Sequence, residues 1–226
     1  MKVPYLLEPA IERDAEVLLA QFCGARGVEL SAPIPVEEIL EQHLGLSLGF
    51  DDLHARFDVP QMGEEPDVLG ALFVDRREVL INQVLDPEDH PFQEGRYRYT
   101  LGHEIGHWEL HRELVSAAAG APTLFGRAAA APIICRRSQA REPIEWQADT
   151  YSAHLLMPRT LIVKTWRNRF GNLRPQIICH EDEVRDFTRP FAKQFGVSSK
   201  AMDIRLGTLG LLCREGPAQL SLITTS

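Results

Sequence analysis

Two histidines stand four residues apart in His103-Glu104-Ile105-Gly106-His107, within a stretch that predicts a helix over about residues 92–114. Four residues advance a helix by slightly more than one turn, so both imidazoles project from nearly the same line on one face. Two neutral ring nitrogens at that spacing can hold one zinc ion. Glu104 points about 100° around the helix and can accept a proton from water that the ion activates. The motif therefore predicts a metal site, and an amphipathic helix that carries these residues by chance is the less favoured alternative.

A catalytic zinc ion needs a third protein ligand and an open fourth position. The metzincin pattern would require glycine at 110 and histidine at 113, where this chain has Leu110 and Glu113, so that class is excluded. Glu145 and Asp149 are again four residues apart, just after a helix-opening proline. We predict that Glu145 is the third ligand and that Asp149 orients His103 through its second ring nitrogen. Two solvated helix carboxylates remain the alternative, because spacing alone does not separate them.

Further aromatic side chains near the motif are candidates for the cleft or for transition-state stabilisation. His111 continues the line of His103 and His107, but a fourth zinc ligand would close the open position. Lining the cleft is one role for His111, and a plain packing or capping role at the helix end is the alternative. Hydrolysis also requires a donor to the oxyanion. The sequence does not rank the candidates, and core packing is the alternative for each; they are Tyr97, Tyr99, His111, Tyr151 and His154.

The pattern of apolar residues, prolines and glycines predicts a mainly helical α+β fold with a small sheet. Helices are expected over about residues 10–23 and 35–44, a short strand at 46–50, and a β-hairpin with strands 68–74 and 78–81. A loop-like region follows the long helix as far as residue 142.

Pro143 opens the next predicted helix, which stops or kinks at Pro158 and restarts towards Phe170. The tail predicts two short helices, with Ser198 as the N-cap of the second. These helices span about residues 181–195 and 199–209. We expect two units, a core over 1–178 and a small helix-turn-helix-like segment over 179–226 packed on it.

Composition narrows the class of protein and the compartment. The formal charge of −8 disfavours general nucleic-acid binding, because that function needs a basic excess. There is no apolar leader and no run of 18 apolar residues, so neither secretion nor membrane insertion is expected. The four cysteines form no C-x-x-C pair and are expected to be reduced, mostly buried thiols. A cytoplasmic location is therefore expected.

Two blocks of the sequence resemble the ImmA/IrrE metallopeptidases, which are built on a minimal thermolysin-like (gluzincin) core. The first is Arg98-Tyr99-Thr100-Leu101-Gly102 leading into the histidine motif. The second runs over residues 145–158, from Glu145-Trp146-Gln147-Ala148-Asp149 to Met157-Pro158. The hairpin and the tail are also similar to family segments, so the resemblance covers about residues 30–212. Gly102 stands where alanine is more usual, a difference from which no effect is expected.

The resemblance implies a zincin-like fold and a zinc metalloendopeptidase that cuts a helix-turn-helix transcriptional repressor during stress or mobile-element induction. His103, His107 and Glu145 would hold the ion, and Glu104 would be the general base. Manganese or iron could occupy the same site, although two imidazoles and a carboxylate suit zinc. The main alternative is a regulator that binds and sequesters a repressor or antitoxin without cutting it. Direct DNA binding by the tail is a weaker one, because from Glu181 on it has six acidic and six basic residues.

Overall fold

The computed structural model describes residues 3–60, 67–119, 122–123, 126–127, 131–136, 142–178 and 180–213. The helices are α1 (Glu8–Arg26), α2 (Val36–Glu38, continued by a π-helical turn at Ile39–His43), α3 (Leu53–Arg56), α4 (Glu94–Ala119), α5 (Pro143–Leu156), α6 (Arg159–Phe170), α7 (Glu181–Phe195) and α8 (Ser199–Thr208). The strands are β1 (Ser47–Asp51), β2 (Val68–Phe73), β3 (Glu78–Asn82), β4 (Pro122–Thr123), β5 (Gly126–Arg127), β6 (Ile133–Arg136), β7 (Gln176–Ile177) and β8 (Leu212–Cys213). Short 3-10 turns lie at Val74–Arg76, Gln83–Leu85 and Pro91–Gln93. The predicted mainly helical α+β class is confirmed.

A four-stranded sheet in the order β1-β3-β2-β6 covers one side of α4. Strand β1 is parallel to β3, whereas β2 is antiparallel to both β3 and β6. Successive side chains of a strand face opposite sides of the sheet. Leu72 accordingly packs in the main core with α4, while Ala71 and Phe73 pack in a second cluster with Leu53 of α3.

Helices α4 and α5 approach closely because α4 presents glycines to α5. A Cβ atom on Gly106 would lie 2.9 Å from Cβ of Tyr151 and 3.1 Å from the backbone of Ala148. A Cβ atom on Gly102 would lie 2.5 Å from Oγ of Ser152, which donates a hydrogen bond to the carbonyl oxygen of Tyr99. Glycine fits at position 102 without a close contact, whereas alanine there would require the Ser152 side chain to move. This contact brings the two predicted ligand-bearing helices side by side.

Helix α1 packs against α5, and the C-terminal helices contribute side chains to the same hydrophobic core. Arg205 of α8 donates hydrogen bonds to the carbonyl oxygen of Met157 and to Glu12 of α1. The side chain of Ser198 accepts from the amide of Ala201, so the predicted N-cap is confirmed. The boundary expected at residue 179 stays a prediction, and residues 214–226 lie outside the described ranges. No helix within those ranges is long and apolar enough to cross a bilayer.

The main error of the sequence prediction is in the region expected to be a loop as far as residue 142. Strand β6 lies there and pairs with β2, since its apolar residues cover an otherwise open sheet edge. The first helix also extends beyond its predicted end at Gly24. It stops at Gly27, whose left-handed conformation (φ 64°) glycine adopts without strain. The hairpin and the break between α5 and α6 at Pro158 match the prediction.

Candidate metal centre

The structure brings His103, His107 and Glu145 together between α4 and α5. Nε2 of His103 lies 3.2 Å from Oε2 of Glu145, and Nε2 of His107 lies 3.4 Å from Oε1 of the same carboxylate. One donor atom from each residue lies within 4.8 Å of the other two. Two imidazoles and one carboxylate are the ligand set of many catalytic zinc sites, so the residues fit a divalent cation.

Unpartnered polar atoms at the same place support this fit. Nε2 of His107 and both carboxylate oxygens of Glu104 are buried and have no hydrogen-bond partner in the described part of the chain. A buried polar atom without a partner costs about 1–3 kcal/mol and is rare in folded proteins. A cation held by the three donors would be the missing partner of Nε2 of His107.

Asp149 lies behind His103 on the side away from Glu145. Its Oδ1 atom is 2.9 Å from Nδ1 of His103. A carboxylate accepts at this distance, so Nδ1 carries a proton, and Nε2 is the ring nitrogen that faces Glu145. The predicted pairing of Asp149 with His103 is therefore present in the structure.

His107 is oriented by a hydrogen-bonded chain that the sequence did not predict. Nε2 of Gln147 donates to the carbonyl oxygen of Pro4, so Oε1 of Gln147 is free to accept from Nε2 of His111, 2.9 Å away. Nδ1 of a neutral His111 is then an acceptor, and it lies 3.0 Å from Nδ1 of His107. His107 must donate there, which leaves the lone pair on its Nε2 atom. His111 thus neither lines a cleft nor caps the helix, because it lies fully buried behind a proposed ligand.

The electrostatics of the cluster favour neutral His107 and ionised Glu145. Burial, helped by the neighbouring His103, lowers the pKa of His107 to about 3. Burial would raise the pKa of Glu145, but its contacts with His103 and His107 outweigh that and lower the pKa to about 2. Burial also works against a charged His103, yet Cys135, Asp149 and Glu145 raise its pKa well above 6.5. A proton on His103 therefore balances Glu145, and a divalent cation would replace that proton on binding.

The carboxylate of Glu104 lies against strand β2 of the sheet. A Cβ atom on Gly70 of β2 would lie 2.4 Å from Oε1 of Glu104, so only glycine leaves room for the carboxylate there. Burial, with Glu145 adding to it, raises the pKa of Glu104 to about 8, while His103 opposes the shift. A nearby divalent cation would favour the ionised form. The structure therefore places a buried carboxylate beside His103, and its role as general base stays a prediction.

Cys135 is a further residue of this site. Its sulfur and donor atoms of His103 and Glu104 all lie within 4.8 Å of one another. Burial raises the pKa of its thiol, and His103 opposes that shift. It is a free cysteine, as are Cys23 and Cys213, whereas Cys179 lies outside the described residues. No spacing signal links Cys135 to the histidine motif, because the pairing of β6 with β2 brings it there.

The remaining candidates lie away from the three donors. Tyr97 packs against Phe50, with ring centroids 5.7 Å apart. Tyr151 packs on Gly106, and its hydroxyl points towards Asp14 of α1. Burial raises the pKa of both tyrosines. Both rings pack in the hydrophobic core, and the hydroxyl of Tyr97 is hydrogen-bonded to Glu37.

Tyr99 and His154 lie beside a cavity of about 630 Å³ between α5 and α8, which Asp149 also lines. The Tyr99 hydroxyl donates to the carbonyl oxygen of Asp149 at 3.0 Å. His154 lies 3.4 Å from Glu8 and 3.2 Å from Glu12, both on α1. Tyr99 thus supports the Asp149 turn of α5, and His154 joins α5 to α1. None of the three donors lines this cavity.

The chain was compared with protein-family models, curated protein sequences and solved structures. A family model described as Peptidase_M78, the IrrE N-terminal-like domain, matches residues 65–207. Among solved structures, a Mycobacterium tuberculosis transcriptional regulator is similar, with 13% sequence identity and a TM-score of 0.47. The alignment covers 93% of this chain and 48% of the regulator, so the chain spans about half of that protein's length. No curated protein sequence matches the chain significantly. The family match includes the hairpin, both helices of the centre, and most of the C-terminal helices.

Proposed function

The chain belongs to the IrrE N-terminal-like family of peptidases, and from this premise we propose that it is a zinc-dependent endopeptidase that hydrolyses a peptide bond in a protein substrate. The proposal depends on one observation. Donor atoms of His103, His107 and Glu145, which lie on two different helices, are within 4.8 Å of one another. The unpartnered carboxylate of Glu104 beside them supports hydrolysis rather than a structural metal site. A purely structural site has no use for a buried base.

His103, His107 and Glu145 would hold the ion, with Asp149 and His111 fixing the direction of the two ring nitrogens. A bound zinc ion would polarise the scissile carbonyl and lower the pKa of the attacking water. A carboxylate oxygen of Glu104 would take the proton from that water and later deliver it to the leaving amine nitrogen. The absence of a side chain on Gly70 leaves the space that this carboxylate occupies.

The proposed substrate is a helix-turn-helix transcriptional repressor, cut during stress or mobile-element induction. This part of the proposal rests on the resemblance of residues 98–107 and 145–158 to the ImmA/IrrE metallopeptidases. The net charge of −8 favours a basic partner such as a DNA-binding protein over nucleic acid itself. We propose no direct contact with DNA.

The test compares cells that produce the wild-type chain with cells that produce Glu104→Gln. New protein N-termini are labelled and identified by mass spectrometry, and the zinc content of both purified proteins is measured. We expect equal zinc content, and new N-termini within a helix-turn-helix protein in the wild-type cells alone. Identical N-termini in both cell populations, with zinc bound to the wild-type protein, would contradict the peptidase.

The same comparison tests the rival function, a regulator that sequesters a repressor or antitoxin without cutting it. That function predicts that Glu104→Gln leaves the regulatory output unchanged. The metal is checked separately by measuring zinc, manganese and iron in protein purified without added metal.

A further inference from the structure

Strand β2 changes its register beside the proposed centre. Gly70 of β2 pairs with Cys135 of β6. The next pair towards the start of β2 is Val68 with Arg136, so two residues of β2 span one step of β6. Leu69 therefore forms a β-bulge, an irregularity that bends its strand and is common next to active sites.

The bulge also interrupts the alternation of side chains along β2. Leu72 packs in the main core and Ala71 in the smaller cluster that includes α3. Continued alternation would place Leu69 in the smaller cluster and Val68 in the main core. The structure shows the opposite, because Leu69 packs on the main core and Val68 lies in the smaller cluster. Leu69 and Gly70 consequently lie on the same side of the strand, the side that faces α4.

Gly70 is the residue of β2 that meets Glu104. A Cβ atom on Gly70 would lie 2.4 Å from Oε1 of Glu104. The carboxylate therefore packs directly on the main chain of β2, and it is fully buried. A bulge bends its strand and increases the local twist. The place of the carboxylate consequently depends on what holds the bulge in shape.

Asn82, at the end of β3, holds the first residue of the bulge. Its Nδ2 atom donates to the carbonyl oxygen of Val68 at 2.9 Å, and its Oδ1 atom accepts from the amide of Val84 at 3.2 Å. The amide of Val68 donates to Nε2 of His54, 3.3 Å away. Asn82 is 3% exposed and Val68 is fully buried, so these side chains, rather than solvent, are the partners of the main chain. The bulge is thus fixed by two side chains from outside β2.

We propose that Asn82 is a positioning residue for Glu104. Its hydrogen bond to Val68 fixes the bulge, and the bulge sets Gly70 against the carboxylate. The inference goes beyond the proposed function, which assigns no role to β3, and it rests on that function for the role of Glu104. Asn82 acts through the main chain of β2. The three proposed metal ligands lie on α4 and α5, so their positions should not depend on it.

A purely structural role is the alternative, since Asn82 also caps the 3-10 turn at Gln83–Leu85. The substitution Asn82→Asp separates the two roles. An ionised aspartate still accepts from the amide of Val84, but it has no proton to donate to Val68. The second variant is Asn82→Ala, which buries no charge. Loss of a cap alone would lower stability without moving Glu104.

The experiment has one readout without metal and one with it. Crystal structures of the metal-free wild type and variants give the position of the Glu104 carboxylate, which should move by about 1 Å in Asn82→Asp, a shift large enough to disturb a positioned group. The zinc-loaded proteins are then titrated with acetohydroxamate, which binds zinc through its two oxygens and forms a hydrogen bond with a carboxylate beside the ion. Glu104→Ala should weaken this probe about 10–100-fold, as the loss of a hydrogen bond to a charged group does. Asn82→Asp should weaken it about 10-fold with unchanged zinc affinity.

The substitution Gly70→Ala tests the same path from its other end. Its new Cβ atom would occupy the space of the carboxylate, so it should weaken acetohydroxamate binding as Asn82→Asp does. Ser198→Ala is the matched control, because it removes the cap bond to the amide of Ala201 on α8. It should leave the affinities for zinc and for acetohydroxamate unchanged.

An unmoved carboxylate and wild-type affinity for the probe in the folded Asn82 variants would overturn the proposal. It would also be overturned if neither variant folds, because Asn82 would then be a structural residue. If Glu104→Ala does not weaken the probe, the general base of the proposed function fails as well. A loss in Glu104→Ala alone overturns only the role of Asn82. A wild type that binds no zinc would contradict the peptidase, and the metal-free structures would still decide whether Asn82 positions the carboxylate.

Discussion

Nδ1 of His111 lies 3.0 Å from Nδ1 of His107, one helical turn earlier on the same face of α4. The pair explains why a third histidine continues the line of the motif without becoming a ligand. Burial lowers the pKa of His111, so the ring is neutral and can accept the proton that His107 offers. Gln147 fixes the other nitrogen of His111, and the backbone of Pro4 fixes Gln147.

The replacement His111→Leu tests this chain. It removes the acceptor for His107 while nearly conserving volume, so we expect zinc affinity to fall about 10–100-fold. Affinity is measured by competition with a chromophoric chelator. The control is Glu113→Ala near the same end of α4, whose side chain is 87% exposed and which should bind zinc as the wild type does. Equal affinity of the His111 variant and the wild type would show that the chain does not orient His107.

Two substitutions of Asp149 test whether this side chain orients His103. Asp149→Ala leaves Nδ1 of His103 without its acceptor 2.9 Å away and should lower zinc affinity about 10–100-fold. Asp149→Asn keeps an oxygen that can accept the same hydrogen bond, so its loss should be smaller. The order wild type, asparagine, alanine is the expected result of a chelator titration. An alanine variant that binds zinc at least as tightly as the asparagine variant would argue against the orienting role.

The close approach of α4 and α5 depends on Gly106. In Gly106→Ala the new methyl group would lie 2.9 Å from Cβ of Tyr151, so we expect a loss of about 1–3 kcal/mol in the free energy of unfolding. Gly24→Ala in α1 is the control, since no atom lies within 4 Å of its added Cβ. Removing that helical glycine should stabilise the chain by about 0.4–1 kcal/mol. Urea unfolding measures the free energy of unfolding of both variants. Equal values would contradict the close packing of α4 on α5 at Gly106.

The lowered pKa of His154 predicts that the free energy of unfolding depends on pH, without involvement of the proposed metal ligands. Burial and Arg205 lower its pKa below the ordinary value of 6.5, against the opposing effect of Glu12 and Glu8. Just below pH 6.5 the unfolded chain therefore binds a proton that the folded chain refuses, and stability falls as the pH falls.

One such proton contributes at most about 1.4 kcal/mol per pH unit. His154→Gln should flatten the curve of unfolding free energy between about pH 7 and 5 by up to that slope. The carboxyl of Glu12 has a lowered pKa, so its own contribution is lost only at more acid pH. Parallel curves for the variant and the wild type would show that His154 is protonated equally in both states.

The donors of the centre could be predicted from the sequence because their spacing is local. His103 and His107 share one face of α4, and Glu145 and Asp149 share one face of α5. The need of a catalytic zinc ion for a third protein ligand links the two helices. The sequence did not predict the roles of Gln147, Cys135 and Gly70, since each depends on contacts between distant segments. Gln147 meets the backbone near the N-terminus, and Cys135 arrives on a strand that only pairing with β2 defines.

Tyr97 and Tyr151 show what the sequence could not predict, namely the direction in which a side chain points. Their proximity to the motif made them candidates for the cleft, but proximity along a helix does not specify the side to which a side chain points. Tyr97 packs against Phe50, and Tyr151 fills the space that Gly106 leaves. Which face of α4 meets the sheet and which meets α5 follows from the tertiary packing.

The central claim is that one divalent ion binds between α4 and α5, and anomalous scattering at the zinc absorption edge from a crystal grown with zinc tests it most directly. We predict one strong peak about 2.0–2.2 Å from Nε2 of His103, Nε2 of His107 and a carboxylate oxygen of Glu145. A crystal that contains zinc but shows no peak there, or shows one beyond bonding reach of Glu145, would contradict the claim.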